Sequence, residues 1–125
     1  MVGVTLDAGA LIALDRNDRR VIVLLARARE TAARITVPAT AFAQAIRQPD
    51  RQARLARLVR QPTTDVVSLD RVDATHVGRL LAASGTADVV DAHVVVCAKR
   101  ADQQVVTSDP GDLRSLDPTI RLIPL

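Results

Sequence analysis

Asp88-Val89-Val90-Asp91-Ala92-His93-Val94-Val95-Val96-Cys97-Ala98 opens a strongly apolar helix that reads on to Arg100, and Gln103-Gln104-Val105-Val106-Thr107 follows as a strand ending just before Ser108-Asp109. A long apolar helix feeding into a short run of β-branched residues is the second half of a βαβ unit. The same alternation extends upstream. Val2-Gly3-Val4-Thr5-Leu6 reads as a buried strand ending at Asp7, and residues 8–14 as a short helix. Residues 18–31 read as a helix with Asp18 as N-cap and Val21, Leu24, Leu25 and Ala28 as its apolar stripe. Residues 34–37 form a second strand stopped by Pro38, and helices follow over 39–47 and 51–60. After the turn Pro62-Thr63-Thr64, residues 65–69 form a third strand. The helix over 70–83 should bury Val72, Val77, Leu80 and Leu81, and Ser84-Gly85-Thr86 breaks it; residues 119–123 give a short terminal strand. Strands of continuous branched residues joined by helices predict an α/β fold, a three-layer α/β/α sandwich with a central parallel sheet. No linker, repeat or low-complexity tract interrupts the chain, which predicts a single domain over residues 1–125.

Composition narrows the function. Of 125 residues, 48% are apolar and 25% charged, as in an ordinary globular protein. Phe42 is the only aromatic residue, which argues against recognition by stacking bases on aromatic platforms. Cys97 is the only cysteine; it has no partner for an internal disulfide, and its count rules out a cysteine-built zinc site. Its apolar surroundings read as those of a buried, inert thiol. The net charge is +3, with every cation but Lys99 an arginine and every acid but Glu30 an aspartate. That balance fits a polyanionic partner, and it equally fits arginines that keep helix faces soluble. No window is long and apolar enough to span a bilayer, and the first residues carry no basic region ahead of an apolar stretch. The expectation is a cytoplasmic protein without a membrane partner.

In parallel sheets, ligands bind outside the carboxyl ends of the strands. Asp7 ends the first strand, Asp109 lies just past the fourth, and Asp112 follows one turn later. Asp88 and Asp91, three residues apart, share one face at the head of the apolar helix. Each has an ordinary reading: Asp88 and Asp7 as helix caps, Asp109 and Asp112 as turn residues. Their joint placement suggests more, because converging carboxylates repel one another and a hard cation relieves the cost. Mg²⁺ suits a site of few carboxylates and several waters, and Mn²⁺ also takes carboxylate oxygen. Such ions support hydrolysis of phosphodiesters. His93 reads as a packed or locally bonded histidine, and His76 as surface or packing. No serine–histidine–carboxylate set and no glycine-rich phosphate loop is present.

Three segments resemble the PIN domain: residues 4–14 with Asp7-Ala8, residues 88–98 with Asp91-Ala92, and residues 105–113 with Thr107-Ser108-Asp109. Order, spacing and length agree over essentially the whole chain, and the wording is most similar to the VapC toxins of type II toxin–antitoxin systems. The resemblance implies a Mg²⁺-dependent endoribonuclease with RNA as substrate, a cognate antitoxin that blocks the site, and a homodimer. It implies that Asp7, Asp91 and Asp109 carry the metal and the catalysis, with Asp88 and Asp112 as further metal ligands or supports. One position departs from the pattern. Where the family usually has a glutamate on the helix after the second strand, this chain has Gln44, which offers a carbonyl oxygen and no charge. Glu30 precedes the second strand and belongs at the opposite edge of the sheet. Three outcomes follow: Asp88 supplies the missing charge, the site works with weaker metal affinity, or activity is lost and the fold remains an RNA- or antitoxin-binding module. Arg47 and Arg51 are placed to hold an RNA backbone or serve as plain surface charge. A receiver-like phosphoacceptor domain fits the length and alternation, and Asp70 follows the third strand, but Asp7 is followed by Ala8 rather than a second acid, and Lys99 lies within a helix.

Overall fold

The computed structural model describes residues 3–125. Its elements are β1 (Val4–Leu6), α1 (Ala8–Asp15), α2 (Arg19–Glu30), β2 (Ile35–Pro38), α3 (Ala39–Ala45), a 3-10 turn at Pro49–Arg51, α4 (Ala53–Arg60), β3 (Thr64–Val67), α5 (Arg71–Ser84), α6 (Val89–Ala101), β4 (Gln104–Thr107), α7 (Pro110–Leu116) and β5 (Leu122–Pro124). All five strands are parallel, in the order β3-β2-β1-β4-β5. Helix α6 packs on β1, β2 and β4 and carries α5 and α7 with it; α1 packs on β1 and β4, beside α2 and α4. The three-layer α/β/α sandwich expected from the alternation is the fold.

The register follows from burial. β1 and β2 are buried at every position, as central strands covered on both faces must be. β3 at one edge is half-exposed, with Val66 in solvent. Gly3 permits the close start of β1 on β2: a Cβ there would stand 1.5 Å from the Arg34 carbonyl oxygen, so any side chain would force the strands apart. Val2, expected in this strand, lies outside the described residues.

Several boundaries differ from the sequence expectation, each for a local reason. The helix expected over 39–47 ends at Ala45, because the Gln52 side chain captures the backbone N–H groups of Arg47 and Gln48 and the Ala45 carbonyl. The helix expected over 51–60 starts at Ala53, after the 3-10 turn. Residues 107–112 read as a turn-rich stretch, but Pro110–Leu116 form helix α7, with Pro110 at its first position where a missing N–H costs nothing. On α5, Val77 is buried and Leu80 and Leu81 are partly so, but Val72 is 57% exposed. Asp73 takes the inward position instead, a choice an apolar pattern does not register. Gly85 ends α5 in the left-handed conformation, as a C-cap glycine does.

Candidate active site

The strand order reverses direction around β1: the chain builds outward through β2 and β3, then returns to β1's other side as β4 and β5. The crevice above β1 and β4 is therefore the switch point where ligands bind in such sheets. Asp7 leaves β1 there and Asp109 leaves β4. Helix α6 feeds β4, so its head, with Asp88 and Asp91, faces the same edge.

Each acid is anchored by a helix N-terminus. Asp7 is buried; its carboxylate caps α1, accepting the Ala10 N–H at 2.8 Å. Asp88 caps α6, accepting the Asp91 N–H at 2.9 Å. Asp109 precedes α7, and Asp112 sits in its first turn. The positive ends of three helices thus point at one crevice, which offsets part of the cost of gathering carboxylates. Thr107 ties two of them together. Its hydroxyl donates to the Asp7 carboxylate and accepts the Asp109 N–H at 2.9 Å, while the residue itself is fully buried. Gly9 lets this turn approach α1: a Cβ there would meet Ser108 Oγ at 2.3 Å. Thr107 and Gly9 were within the quoted motifs but not among the expected site residues. A Thr two residues before an acid at a strand end, able both to donate and accept, was the available signal.

The electrostatics show that the acids share a field. The Asp91 carboxyl is pushed up to about 6, first by burial and then by the charges of Asp88, Asp7, Asp112 and Asp109. Asp7 is also raised, mainly by burial and in part by Asp109, against the hydrogen bonds from Thr107 and the α1 N-terminus. Asp91 therefore feels the charge of the other four aspartates singled out in the sequence, and Asp7 feels that of Asp109. The five are not tightly clustered: no three of them bring ligand atoms within 4.8 Å of one another among the described residues. An all-oxygen set at this looser spacing, carrying excess negative charge, fits Mg²⁺, which keeps several of its waters. Gln44 is exposed on α3. Arg47 donates to the carbonyl oxygens of Ala43 and Ile46 and so closes its own helix end; Arg51 is exposed in the 3-10 turn.

The remaining titratable groups in the interior are of another kind. Asp73 is buried between α5 and α6, where the Arg100 guanidinium bonds it and holds its carboxyl below the usual range. His93 is fully buried and hydrogen-bonds Thr40 Oγ1 through Nδ1 at 2.7 Å, the locally bonded role expected. Burial lowers its pKa, against the opposing pull of Asp73. The Cys97 thiol is pushed up to about 12 by burial and Asp73, so it is no nucleophile. No single helix among the described residues is long and apolar enough to cross a membrane.

The parallel sheet, its switch point and the acids gathered there define an α/β domain with a carboxylate site. The PIN domain family model matches residues 4–117, and the chain belongs to that family. Similar solved structures include FitAcB from Neisseria gonorrhoeae, at 16% identity over 96% of each chain with a TM-score of 0.64. FitAB bound to an IR36 DNA fragment matches at 13% identity, TM-score 0.64, over 97% of this chain and 94% of that one. VapBC2 from Rickettsia felis, bound to a DNA fragment from its promoter, matches at 12% identity, TM-score 0.67, over 100% and 99%. At these identities the likeness is one of fold. No curated protein matches the chain.

Proposed function

We propose that the chain, as a single PIN-like domain over residues 1–125, is a Mg²⁺-dependent endoribonuclease and the VapC-type toxin of a type II toxin–antitoxin module. The observation that carries this reading is the gathering of five aspartates at the sheet's switch point, where burial first and the charges of the other four second push Asp91 up to about 6. Nature keeps such a concentration of like charge where a cation or an acid–base step uses it. Asp7, Asp91 and Asp109 would hold the ion, with Asp88 and Asp112 supporting it. A bound Mg²⁺ or Mn²⁺ activates water and stabilises the leaving oxygen of the phosphodiester. The chain's own contribution is orientation: the Ala10 N–H and the Thr107 hydroxyl fix Asp7, and the Thr107 oxygen fixes the turn that presents Asp109.

The remaining parts of the reading are a homodimer, a cytoplasmic location and a cognate antitoxin. A groove of about 550 Å³ between α2 and α4 suits the last of these. Its floor holds Leu14, Ile22, Leu25, Ile35 and Leu58, and Arg29, Arg54 and Arg57 stand at its rim. An amphipathic antitoxin helix with acidic flanks would match both features. Gln44 favours a second reading, a PIN-fold binding module with weakened catalysis, because it removes one charge from the family's acidic set.

The test is cleavage of RNA pools by partner-free protein with Mg²⁺, with Mn²⁺ and with a chelator, beside Asp91→Asn. Cleavage that needs the ion and disappears in the variant supports the nuclease. Folded protein that cuts none of the pools supports the binding module. Cleavage indifferent to both chelator and substitution marks a contaminant and removes the mechanism.

A further inference from the structure

Asp73 on α5 and His93 and Cys97 on α6 bring a carboxylate oxygen, an imidazole nitrogen and a thiol sulfur within 4.8 Å of one another, all three residues buried. We propose that this trio is a second metal site, for a zinc-class ion, that clamps α5 to α6. It is separate from the aspartate crevice and does not depend on the nuclease reading.

Four observations carry the proposal. His93 and Cys97 are four residues apart on one helix, so both side chains project from the same face toward Asp73. His93 Nε2 is buried without a hydrogen-bond partner among the described residues, although an unsatisfied interior nitrogen is costly. The Ser68 carbonyl lies near enough to pull on the ring but completes no hydrogen bond to Nε2. Nε2 stands 3.8 Å from Asp73 Oδ2, too long for a hydrogen bond. That gap is close to the edge of a zinc tetrahedron, whose ligand atoms lie about 3.3–3.7 Å apart given bonds of about 2.0–2.3 Å.

The outer partners such a site needs are also present. The 2.7 Å hydrogen bond between His93 Nδ1 and Thr40 Oγ1 fixes the ring, and in the tautomer with the proton on Nδ1 the lone pair is left on Nε2. Arg100 bonds the other oxygen of Asp73, Oδ1, leaving Oδ2 turned toward the trio. Arg100 is itself half-exposed, so the trio lies one side chain from solvent. Binding would release the Cys97 thiol proton to solvent, so that the thiolate and the Asp73 carboxylate together face the ion's two charges and the Arg100 guanidinium, leaving one net positive charge in the cluster. A mixed nitrogen, sulfur and oxygen set selects zinc or cobalt over Mg²⁺. The cysteine count spoke only to sites built on several cysteines, and one thiolate in a mixed set escapes it.

The experiment is titration of the full chain with Co²⁺, read by absorption. We expect a thiolate-to-cobalt charge-transfer band that saturates near one equivalent, is displaced by Zn²⁺ and is absent in Cys97→Ser. The all-oxygen aspartate crevice cannot give such a band, so Asp91→Asn should leave it unchanged. Asp73→Asn should weaken Co²⁺ binding by more than the roughly 10–100-fold that loss of an outer partner costs. X-ray absorption of the zinc-loaded wild type needs no variant to fold, and one sulfur scatterer at about 2.3 Å is expected. Absence of the charge-transfer band in folded wild type, or a zinc spectrum with only oxygen and nitrogen neighbours, overturns the proposal.

Discussion

Two aspartates meet α6 from opposite circumstances. Asp91, at its head, faces four other carboxylates, and its pKa is driven up to about 6. Asp73, packed against its middle, is more deeply buried, yet its pKa is lowered because Arg100 sits on it. Burial alone would raise both. The difference lies in compensation: the interior carboxylate has its own counter-charge, whereas among the described residues the crevice carboxylates form no ion pair and rest on helix dipoles and the Thr107 hydroxyl. The crevice carboxylates thus carry the uncompensated charge of the fold, and the contrast with Asp73 can be tested directly.

The sharpest way to break that contrast is Asp91→Asn. If the crevice acids hold the ion, RNA cleavage should fall by at least roughly 10²–10³-fold, the scale of losing one electrostatic group in an active site. Stability should move the other way. A carboxyl raised in the folded state opposes folding when ionised, fully above about pH 6, and the opposition fades as pH falls toward its unfolded value near 3.8. In the absence of divalent ions the variant should therefore be more stable than wild type by about 1–2 kcal/mol at pH 7, after allowing for partial solvent screening. That advantage should vanish near pH 4. His93, whose pKa is lowered, loses stability over the same pH range, so the readout is the difference between the two proteins in urea unfolding. A variant less stable than wild type at pH 7 would mean that the aspartates do not strain one another.

Arg100→Met attacks the other side. Removing the guanidinium leaves the Asp73 charge buried and unpaired, which should cost about 3 kcal/mol, the lower end for breaking a buried pair since Arg100 is half-exposed. The sign with pH is opposite to that of Asp91. A lowered carboxyl contributes stability above the ordinary carboxylate range and loses it as pH falls through its lowered value, so the penalty should shrink below about pH 4. Urea midpoints at pH 7 and pH 3.5 check it; an equal penalty at both would assign the loss to packing.

How much of this was legible in the chain divides along the same line. The parallel sheet could be read from its runs of Val, Ile and Leu; Asp7, Asp109 and Asp112 stood out by the rule that sites sit at strand ends, and Asp88 and Asp91 by their place at the head of the apolar helix. Local signals do that work. Asp73 was missed because helical periodicity assigned the inward position to Val72, and only the tertiary partner Arg100, 27 residues on, makes an aspartate acceptable there. Helix α7 was missed because its seven residues open with Pro and Gly, which read as a turn until Leu113 and Leu116 are seen to pack on the core. The early end of α3 depends on Gln52, a side-chain capture from just beyond the helix end that leaves no periodic trace.

Thr107→Val sharpens the comparison within the crevice. The substitution keeps the shape but removes the donor to Asp7 and the acceptor for the Asp109 N–H. Loss of a hydrogen bond to a buried charge should cost about 1–2 kcal/mol of stability. Cleavage should fall roughly tenfold, the equivalent of about 1.4 kcal/mol in the barrier, if positioning of Asp7 and Asp109 matters. The Asp7 pKa should rise further, since one of the bonds that lowers it is gone; carboxyl titration by NMR would show it. Unchanged titration would mean that Thr107 only fills space.

Gln44→Glu carries the smallest expected effect on stability and the clearest bearing on why the crevice differs from the interior. Gln44 is exposed, so the change should fall within about 0.5 kcal/mol of neutral in urea unfolding. Its consequence should appear in ion dependence. If Gln44 stands where the family carries an acid, an added carboxylate should tighten Mg²⁺ several-fold and raise cleavage at limiting ion, with little change at saturation. It should also push Asp91 above its present value of about 6, since a sixth negative charge would act on it. If neither ion affinity nor Asp91 titration moves, Gln44 lies outside the shared field. The missing charge is then already supplied by Asp88, which the structure places as cap of α6 and as the largest charge acting on Asp91.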